Sequence, residues 1–156
     1  QSVIPIMRKQ KNGTIVNISS GLGRFGIGLS SAYSSSKFAV EGISECMSFE
    51  LEPFGIRTII VEPGVIKTNF LNSAVMARRA KDPNSPYIQL IKDMENTIKS
   101  MVERATSPEQ VAEIILYAIT DKTPKIRYLA GKDVEQIMDI KNKISDEDFH
   151  EILKHA

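Results

Sequence analysis

Three short runs with the composition of β-strands, each separated from the next by a longer stretch of helical periodicity, constrain the fold of this chain most strongly. The runs span residues 14–19, 57–62 and 125–130. Strands joined through a crossover helix pair in parallel, because the helix carries the chain back to the end from which the first strand started. The run at 57–62 is apolar almost throughout, which is typical of a parallel strand covered on both faces. The pattern predicts an α/β fold with a parallel sheet of about three strands and crossover helices.

The stretches between these runs carry the signals of helices. Apolar residues at mostly helical spacing predict the longest helix over 31–53, and Gly55 ends it. An N-cap serine, a first-turn proline and a capping-box glutamine at 107–110 predict a second helix. Further helical segments are predicted at 1–10, at 70–105 with a break at 82–86, and from 145 onward. A doubly wound dinucleotide-binding sheet usually has about six strands, so this chain amounts to one half of such a fold.

Composition excludes several classes of function. The 156 residues carry a formal net charge of +1, which gives no basic field for nucleic acid. Cys46 is the single cysteine, so an internal disulfide and a cysteine metal cage are excluded, and its apolar neighbours predict that it is buried. The apolar stretches are far shorter than the ~18 residues of a membrane span, and we expect no leader. We therefore expect one soluble, cytoplasmic domain over 1–156 without a metal site.

A glycine-rich segment directly after the first strand run matches the pattern G-x-G-x-x-G at 21–26. In a dinucleotide-binding turn the third glycine opens a helix, and an acidic residue ends the next strand about twenty residues later. Here the helix starts several residues beyond Gly26, and Glu41 and Glu45 fall inside that helix. We therefore expect a flexible glycine loop at the carboxyl edge of the sheet, with a phosphate-binding turn as the weaker alternative.

Tyr33 and Lys37 are the residues that point most directly to chemistry. Their i, i+4 spacing near the start of the long helix places both side chains on one face. A phenol is a poor acid or base near neutral pH, and a neighbouring ammonium makes it a better one because it stabilises the phenolate. A second pair with this spacing, Tyr128 and Lys132, starts in a strand and has Gly131 between its members, so we interpret it as structural.

Further groups are predicted to lie near Tyr33 at the carboxyl edge of the strands, where open α/β sheets bind ligands. Ser20 follows the first strand run, and its hydroxyl can donate a hydrogen bond to a substrate carbonyl oxygen. Pro63 and Gly64 end the second run, where the main chain can approach a flat ring closely. The Thr68 hydroxyl is available for an amide or a phosphate. These groups predict a catalytic, ligand-binding edge.

These motifs, in this order, resemble the second half of the short-chain dehydrogenase/reductase family. The resemblance rests on Asn17-Ile18-Ser19-Ser20, on Tyr33-x-x-x-Lys37 followed by Phe38-Ala39, and on Pro63-Gly64-x-x-x-Thr68. It runs from about residue 5 to residue 68, and looser similarity continues through 107–112 to 127–128. It implies the second half of a Rossmann-type doubly wound parallel sheet.

The resemblance also implies a reaction and a role for each residue. Tyr33 would donate or accept the proton while a hydride passes between the carbinol carbon and a nicotinamide cofactor, either NAD or NADP. Lys37 would stabilise the phenolate and hold the nicotinamide ribose. Ser20 would bind the substrate oxygen, with Ser19 a weaker candidate for that role. The residues implied to bind the cofactor are Tyr33, Lys37, Pro63, Gly64, Val65, Ile66 and Thr68.

Several features of the family layout are missing from this chain. They are the Gly-rich phosphate loop, the residue that selects NAD or NADP, the Asn-Ala-Gly segment and the asparagine of the proton relay. We therefore expect a partial domain that lacks its N-terminal half and is inactive alone. Within it, 70–105 is predicted to form a lid over a small, partly apolar alcohol or carbonyl substrate. The 31–53 helix is predicted to build a homo-oligomer interface through Phe38, Cys46 and Phe49.

Two alternatives from other functional classes remain open. The first is a non-catalytic, truncated remnant that acts as an assembly or interaction module through its helices. The second is a protein that binds a nucleotide through the 21–26 loop as a true fingerprint.

Overall fold

The computed structural model describes residues 2–75 and 77–154. In chain order, the elements are α1 (Ile4–Gln10), β1 (Gly13–Ile18), α2 (Ser31–Leu51), β2 (Ile56–Pro63), α3 (Ile88–Glu103), α4 (Pro108–Thr120), β3 (Arg127–Ala130), α5 (Lys132–Lys141) and α6 (Asp146–Lys154). Short 3-10 turns cover Gly21–Gly23, Glu52–Phe54, Leu71–Ser73 and Arg78–Lys81. Sequence analysis did not identify α5, because its inward face consists of just two buried residues one turn apart, Val134 and Met138.

The strands of the described residues form one parallel sheet in the order β1-β2-β3. Ile18 at the end of β1 lies opposite Val61, and Pro63 at the end of β2 lies opposite Ala130 of β3. Because the strands run in the same direction, the residues that follow them meet at one edge of the sheet. The predicted α/β fold, with a parallel sheet and crossover helices, is confirmed.

β2 forms the centre of the core. Its residues Ile59, Ile60 and Val61 are at most 1% exposed, and burial of each such side chain contributes about 1.5–3 kcal/mol to the free energy of unfolding. Ile59 and Val61 pack with Ala118 of α4 on one face of the sheet. Helix α2 packs against β2 on the other face. The nearly continuous apolar run of this strand therefore reflects burial on both faces, as the sequence indicated.

The buried face of α2 is largely polar. Cys46 is exposed, so the prediction that it is buried is wrong. It lies two positions beyond the buried Ser44, which rotates it by about 200° around the helix axis. The buried residues of α2 are Ser34, Glu41, Ser44 and Leu51. The long helix thus turns small and polar side chains inward and leaves large apolar ones on its outer face.

Two predicted helix boundaries are confirmed in detail. Ser107 Oγ accepts a hydrogen bond of 3.3 Å from the Gln110 backbone N–H, and Gln110 Oε1 accepts one of 3.1 Å from the Ser107 backbone N–H. This capping box fixes the start of α4. After α2, Gly55 has a φ of 72°, and a Cβ at Gly55 would collide with the Lys11 carbonyl oxygen. Both the backbone angle and the close contact favour glycine there.

The segment 70–105 contains one α-helix, α3, and two of the 3-10 turns. The break predicted at 82–86 therefore precedes this helix and does not separate two helices. Met76, which belongs to the predicted lid, lies outside the described residues. No helix in the part of the chain that the structure describes is both long and apolar enough to cross a bilayer.

Candidate active site

Tyr33 and Lys37 stand together in the first turns of α2. Lys37 Nζ lies 5.7 Å from the centre of the Tyr33 ring and donates a hydrogen bond of 3.1 Å to the carbonyl oxygen of Ile18. Because Ile18 is the last residue of β1, this bond fixes the pair to the carboxyl edge of the sheet. Burial lowers the pKa of the half-buried Lys37 ammonium from its ordinary value. The predicted face shared by Tyr33 and Lys37 is present in the structure.

Ser20 lies two residues beyond that carbonyl group. Its backbone is extended, and its Oγ accepts a hydrogen bond of 3.2 Å from the Leu22 N–H, which caps the 3-10 turn Gly21–Gly23. A serine hydroxyl that accepts a bond still has its own hydrogen to donate. Ser20 can therefore be held by the turn and still donate a hydrogen bond to a substrate oxygen.

Ser19 is directed into the protein and is a weaker candidate than Ser20. Its side chain is buried, and among the described residues its Oγ has no hydrogen-bond partner. A Cβ at Gly23 would lie 2.7 Å from this Oγ and 3.1 Å from the Lys37 carbonyl oxygen. Ser19 thus packs between the glycine turn and α2, away from an open surface.

Two of the glycines after β1, Gly21 and Gly23, serve close packing, whereas a Cβ at Gly26 or Gly28 would meet no atom within 4 Å. A Cβ at Gly21 would lie 2.7 Å from Cγ2 of Val134 in α5, so this glycine lets α5 approach the turn. The helix that follows begins at Ser31, several residues beyond Gly26. The segment is therefore a short 3-10 turn followed by a loop, and it lacks the helix N-terminus that a phosphate-binding turn requires. This geometry disfavours the alternative of a nucleotide fingerprint at 21–26.

The segment after β2 is held by hydrogen bonds on two sides. The Val65 N–H donates a hydrogen bond of 2.7 Å to Asp133 Oδ2, and the Val65 carbonyl oxygen accepts one of 3.0 Å from the Thr106 N–H. A Cβ at Gly64 would collide with the Asp133 carboxylate, so glycine is needed for this carboxylate to reach the main chain. Both polar main-chain groups of Val65 are therefore engaged, and the carbonyl oxygen of its neighbour Ile66 accepts a hydrogen bond of 2.9 Å from the Thr68 N–H.

Thr68 and Phe70 complete this edge. Thr68 Oγ1 accepts a hydrogen bond of 3.3 Å from the Phe70 N–H. The Phe70 ring lies 5.9 Å from the Tyr33 ring, centre to centre, at an interplanar angle of 58°. The loop that follows Pro63 therefore reaches across to α2 and covers one side of Tyr33 with an aromatic ring.

The second Tyr-x-x-x-Lys pair has the structural role that the sequence indicated. The Tyr128 hydroxyl donates a hydrogen bond of 2.9 Å to Asp121 Oδ2 and accepts one of 2.9 Å from the Lys125 N–H. Both partners lie in the loop between α4 and β3. Tyr128 thus ties this loop to the sheet, while Lys132 is exposed at the start of α5.

Comparison with known proteins gives a family match over the first half of the chain. A family model described as short chain dehydrogenase matches residues 1–79, the part of the chain that contains Ser20, Tyr33, Lys37 and the Pro63 loop. The chain belongs to the short-chain dehydrogenase family. This confirms the resemblance that the three motifs indicated.

The similarity to individual members of the short-chain dehydrogenase family extends over most of the chain. An uncharacterized oxidoreductase of Schizosaccharomyces pombe is 33% identical over 149 residues, which cover 96% of this chain and 61% of the relative. A solved short-chain dehydrogenase from Streptomyces avermitilis has a TM-score of 0.70 at 26% identity, covering 97% of this chain and 55% of that one. The structure of ElxO with NADP bound has a TM-score of 0.62 at 26% identity, covering 86% and 51%. The chain spans about half the length of the curated relatives it matches.

Sequence analysis missed an acidic residue and an ion pair that lie near the candidate site. Asp133, whose carboxylate holds Val65, lies in the unpredicted helix α5, and its signal was an acidic residue three positions after the carboxyl end of the third strand. Arg24 and Glu62 form an ion pair of 3.1 Å beside the site. Their separation along the chain hides this pair from any local pattern.

Proposed function

We propose that this chain is the catalytic half of an NAD- or NADP-dependent short-chain dehydrogenase that interconverts an alcohol and a carbonyl. The observation that carries the proposal is the pairing of Tyr33 with Lys37 at the carboxyl edge of β1, two residues from the Ser20 hydroxyl. This combination supplies a proton donor, a cation beside it and a donor for the substrate oxygen. The NADP bound to the similar ElxO supports a nicotinamide cofactor.

The residues at this edge fit a nicotinamide nucleoside. The main chain at Ile66 and the Thr68 hydroxyl offer donors and acceptors for a carboxamide, and the Lys37 ammonium offers a donor for ribose hydroxyls. When bound, the cofactor would take or deliver the hydride at the carbinol carbon. The roles of Pro63 and Gly64 follow from their place at the end of β2, since they let the main chain turn toward the ligand.

In the oxidation direction, Tyr33 takes the hydroxyl proton of the alcohol as its O–H bond breaks and the carbonyl forms. Ser20 donates a hydrogen bond to the same oxygen and holds it toward the phenol. The positive charge of Lys37 favours the phenolate that takes this proton. In the reduction direction Tyr33 returns the proton to the carbonyl oxygen as the hydride arrives at carbon.

The substrate that fits this site is a small molecule with an apolar part. Phe70 is 60% exposed and faces Tyr33, and Leu90 and Met101 of α3 are each 48% exposed. We propose that the segment 70–105 folds over this part of the substrate as a lid. Such a lid would exclude water from the proton-transfer step.

The outer face of α2 supports self-association, and it is also the feature that favours a non-catalytic interaction module. Phe38, Ile43 and Phe49 are 47%, 61% and 71% exposed on this helix. Exposed large apolar side chains on one helix mark an interaction surface. We propose that this face joins two copies of the protein. A measurement of dehydrogenase activity distinguishes the enzyme from the non-catalytic interaction module.

The proposed reaction is tested with Tyr33→Phe in the protein as its gene encodes it. The ring fills the same space but has no proton to exchange, so we expect turnover with alcohol and carbonyl panels to fall by several powers of ten. Coenzyme binding, measured by titration calorimetry, should stay within about twofold. Ser20→Ala should mainly lower kcat.

Tyr117→Phe is the matched control, because Tyr117 is 58% exposed on α4, on the other face of the sheet. This variant should keep full activity. If Tyr33→Phe retained more than about a tenth of the activity, which is under ~1.4 kcal/mol of transition-state stabilisation, Tyr33 would not be the proton donor.

A further inference from the structure

Four charged side chains from four parts of the chain meet beneath the proposed site. Arg24 Nη1 lies 3.1 Å from Glu62 Oε1, and Arg127 Nε lies 3.3 Å from the same oxygen. Arg127 Nε also lies 2.9 Å from Glu41 Oε2. These residues, here called the Arg–Glu cluster, come from the glycine turn, α2, β2 and β3.

The Arg–Glu cluster is deeply buried on its acidic side. The side chains of Glu62 and Glu41 are 1% and 7% exposed, and in the described part of the chain Glu62 Oε2 and Glu41 Oε1 have no hydrogen-bond partner. Burial raises the pKa of Glu62, and the neighbouring Glu41 carboxylate raises it further, while the two arginines oppose both effects. Buried ion pairs with unmet hydrogen-bonding capacity are weak stabilisers compared with apolar packing. A contribution to the stability of the fold therefore does little to explain why this cluster is present.

Three of the four members of the cluster adjoin a residue of the proposed site. Glu62 directly precedes Pro63, where the cofactor loop begins. Arg24 caps the far end of the 3-10 turn whose first cap is Ser20. Glu41 follows Lys37 by one helical turn on the same face of α2, and a Cβ at Gly23 would lie 3.0 Å from Glu41 Cγ.

We infer that Arg24 and Glu62 are positioning residues, which lock the Ser20 turn to the end of β2 and so fix the Ser20 hydroxyl relative to the cofactor loop. The side chain of Arg24 is 32% exposed, and its guanidinium group meets a fully buried carboxylate. Glu62 in turn is held by Arg127, which is anchored to α2 through Glu41. The buried Glu62 carboxylate thereby links the turn, the helix that carries Tyr33 and the loop after Pro63.

This inference rests on the proposed function, because it assigns the Ser20 turn a role in the reaction. A displacement of about 1 Å in a catalytic group can cost about a hundredfold in rate. If the ion pair is purely structural, its loss would instead lower the melting temperature and leave kcat of the folded enzyme unchanged. The two roles are therefore separable by experiment.

The test compares Arg24→Met with Arg57→Met in the protein as its gene encodes it. Arg57 lies on the same strand as Glu62, but at its amino end, where its Nη2 donates hydrogen bonds of 3.2 Å to Thr14 Oγ1 and 2.7 Å to the Ile119 carbonyl oxygen. It is a half-buried arginine whose partners are two neutral oxygens instead of a carboxylate, and it lies at the opposite end of the strand from the proposed site. We expect Arg24→Met to lower kcat by about 10–100-fold and Arg57→Met to leave kcat within about twofold, while both lower the melting temperature.

Arg24→Lys and Glu62→Gln keep a hydrogen bond between the two positions and complete the series. Both should restore much of kcat relative to Arg24→Met. If Arg24→Met does not fold, Arg24→Gln, whose shorter and uncharged side chain cannot form the ion pair, takes its place with the same expected loss of kcat. A kcat within about threefold of the parent in whichever of these two variants folds, with unchanged exchange at the turn, would overturn the inference. An equal loss in Arg57→Met would overturn it too.

A readout independent of activity separates this inference from the proposed reaction. Amide hydrogen exchange at Leu22, Gly23 and Arg24 should accelerate in Arg24→Met and stay at the parent rate in Arg57→Met. If Tyr33→Phe is inactive but Arg24→Met has parental kcat and exchange, the positioning role alone fails. If Tyr33→Phe stays active, the proposed reaction fails, and the exchange result still decides whether Arg24 holds the turn.

Discussion

The ammonium group of Lys37 lies 5.7 Å from the centre of the Tyr33 ring while it donates a hydrogen bond to the Ile18 carbonyl oxygen. One side chain therefore contacts the end of β1 and also places a positive charge beside the phenol. Because burial lowers the pKa of Lys37, this charge is lost at a lower pH than that of an ordinary lysine. Lys37 thus links the geometry of the strand end to the chemistry of Tyr33.

Lys37→Met should lower kcat and raise the KM for coenzyme, because both the charge beside Tyr33 and the donor for the ribose are removed. We expect about a hundredfold loss in kcat, within the range for one acid–base group. Lys132→Met is the matched control, since Lys132 belongs to the structural Tyr-x-x-x-Lys pair. Steady-state kinetics with varied coenzyme measure both effects. Equal behaviour of the two variants would contradict the role of Lys37.

Asp133→Ala should raise the KM for coenzyme by about 3–10-fold, which corresponds to the loss of one hydrogen bond. The Val65 N–H would lose its acceptor and the loop after Pro63 would relax. Asp133→Asn should behave like the parent, because the amide oxygen can accept the same bond. Asp139→Ala, on the exposed side of α5, should have no effect. A KM for coenzyme that stays at the parent value in Asp133→Ala would show that the loop does not depend on this carboxylate.

Phe70→Ala should raise the KM for substrates with an apolar chain by about tenfold, since a phenyl ring that covers an apolar group contributes about 1.5–3 kcal/mol when buried. The KM for coenzyme should stay constant, because Phe70 contacts the Tyr33 side of the site. Phe54→Ala is the control, as Phe54 stacks on Arg8 at the other end of α2. A KM that is unchanged for every chain length tested would argue against a lid over the substrate.

Phe49→Arg should convert the protein to a monomer if the outer face of α2 joins two copies. Phe49 is 71% exposed there, and a charge buried in an apolar interface opposes association. Leu116→Arg is the matched control, because Leu116 is 63% exposed on α4, on the other face of the sheet. Light scattering gives the mass of each. A parent protein that is already monomeric would rule out the interface.

Acidification should remove a contribution that Asp121 makes to stability. The hydrogen bond from the Thr123 N–H, followed by that from the Tyr128 hydroxyl, lowers the pKa of Asp121 below its ordinary 3.8. The folded state therefore binds fewer protons than the unfolded state, so this contribution is present above about pH 4 and is lost as the pH falls through the folded pKa.

Urea unfolding between about pH 5 and pH 3 measures this dependence. Asp121→Asn should flatten the fall in the free energy of unfolding, and Tyr128→Phe should flatten it in part because the N–H and the hydroxyl of Thr123 still donate to Asp121. A curve for Asp121→Asn that is as steep as that of the parent would show that other carboxylates are responsible.

Much of the fold could be predicted from local patterns. The strand at 57–62 is apolar on both faces, and the capping box at 107–110 marks a helix start, because each signal is written in neighbouring residues. The order of Ser20, Tyr33, Lys37 and the Pro63 loop gave the candidate site for the same reason. Helix α5 was missed, since two buried residues one turn apart are too short a pattern to recognise.

The burial of α2 could not be predicted, because apolar spacing indicates a face but does not say what covers it. Cys46 and Phe49 lie on the outer face, while Glu41 turns inward, since an arginine from β3 is there to meet it. The chain by itself determined most of the secondary structure, the parallel sheet and the residues that follow each strand, because these depend on local sequence and on chain connectivity.

The tertiary structure alone decided which distant groups meet. Asp133 reaches Val65 across 68 positions of the chain, and Arg24 reaches Glu62 across 38. These contacts are made by folding two strand ends and a helix start to one edge of the sheet. A pattern of neighbouring residues holds no information about which buried carboxylate an arginine will find there, because that choice depends on the packing of several elements at once.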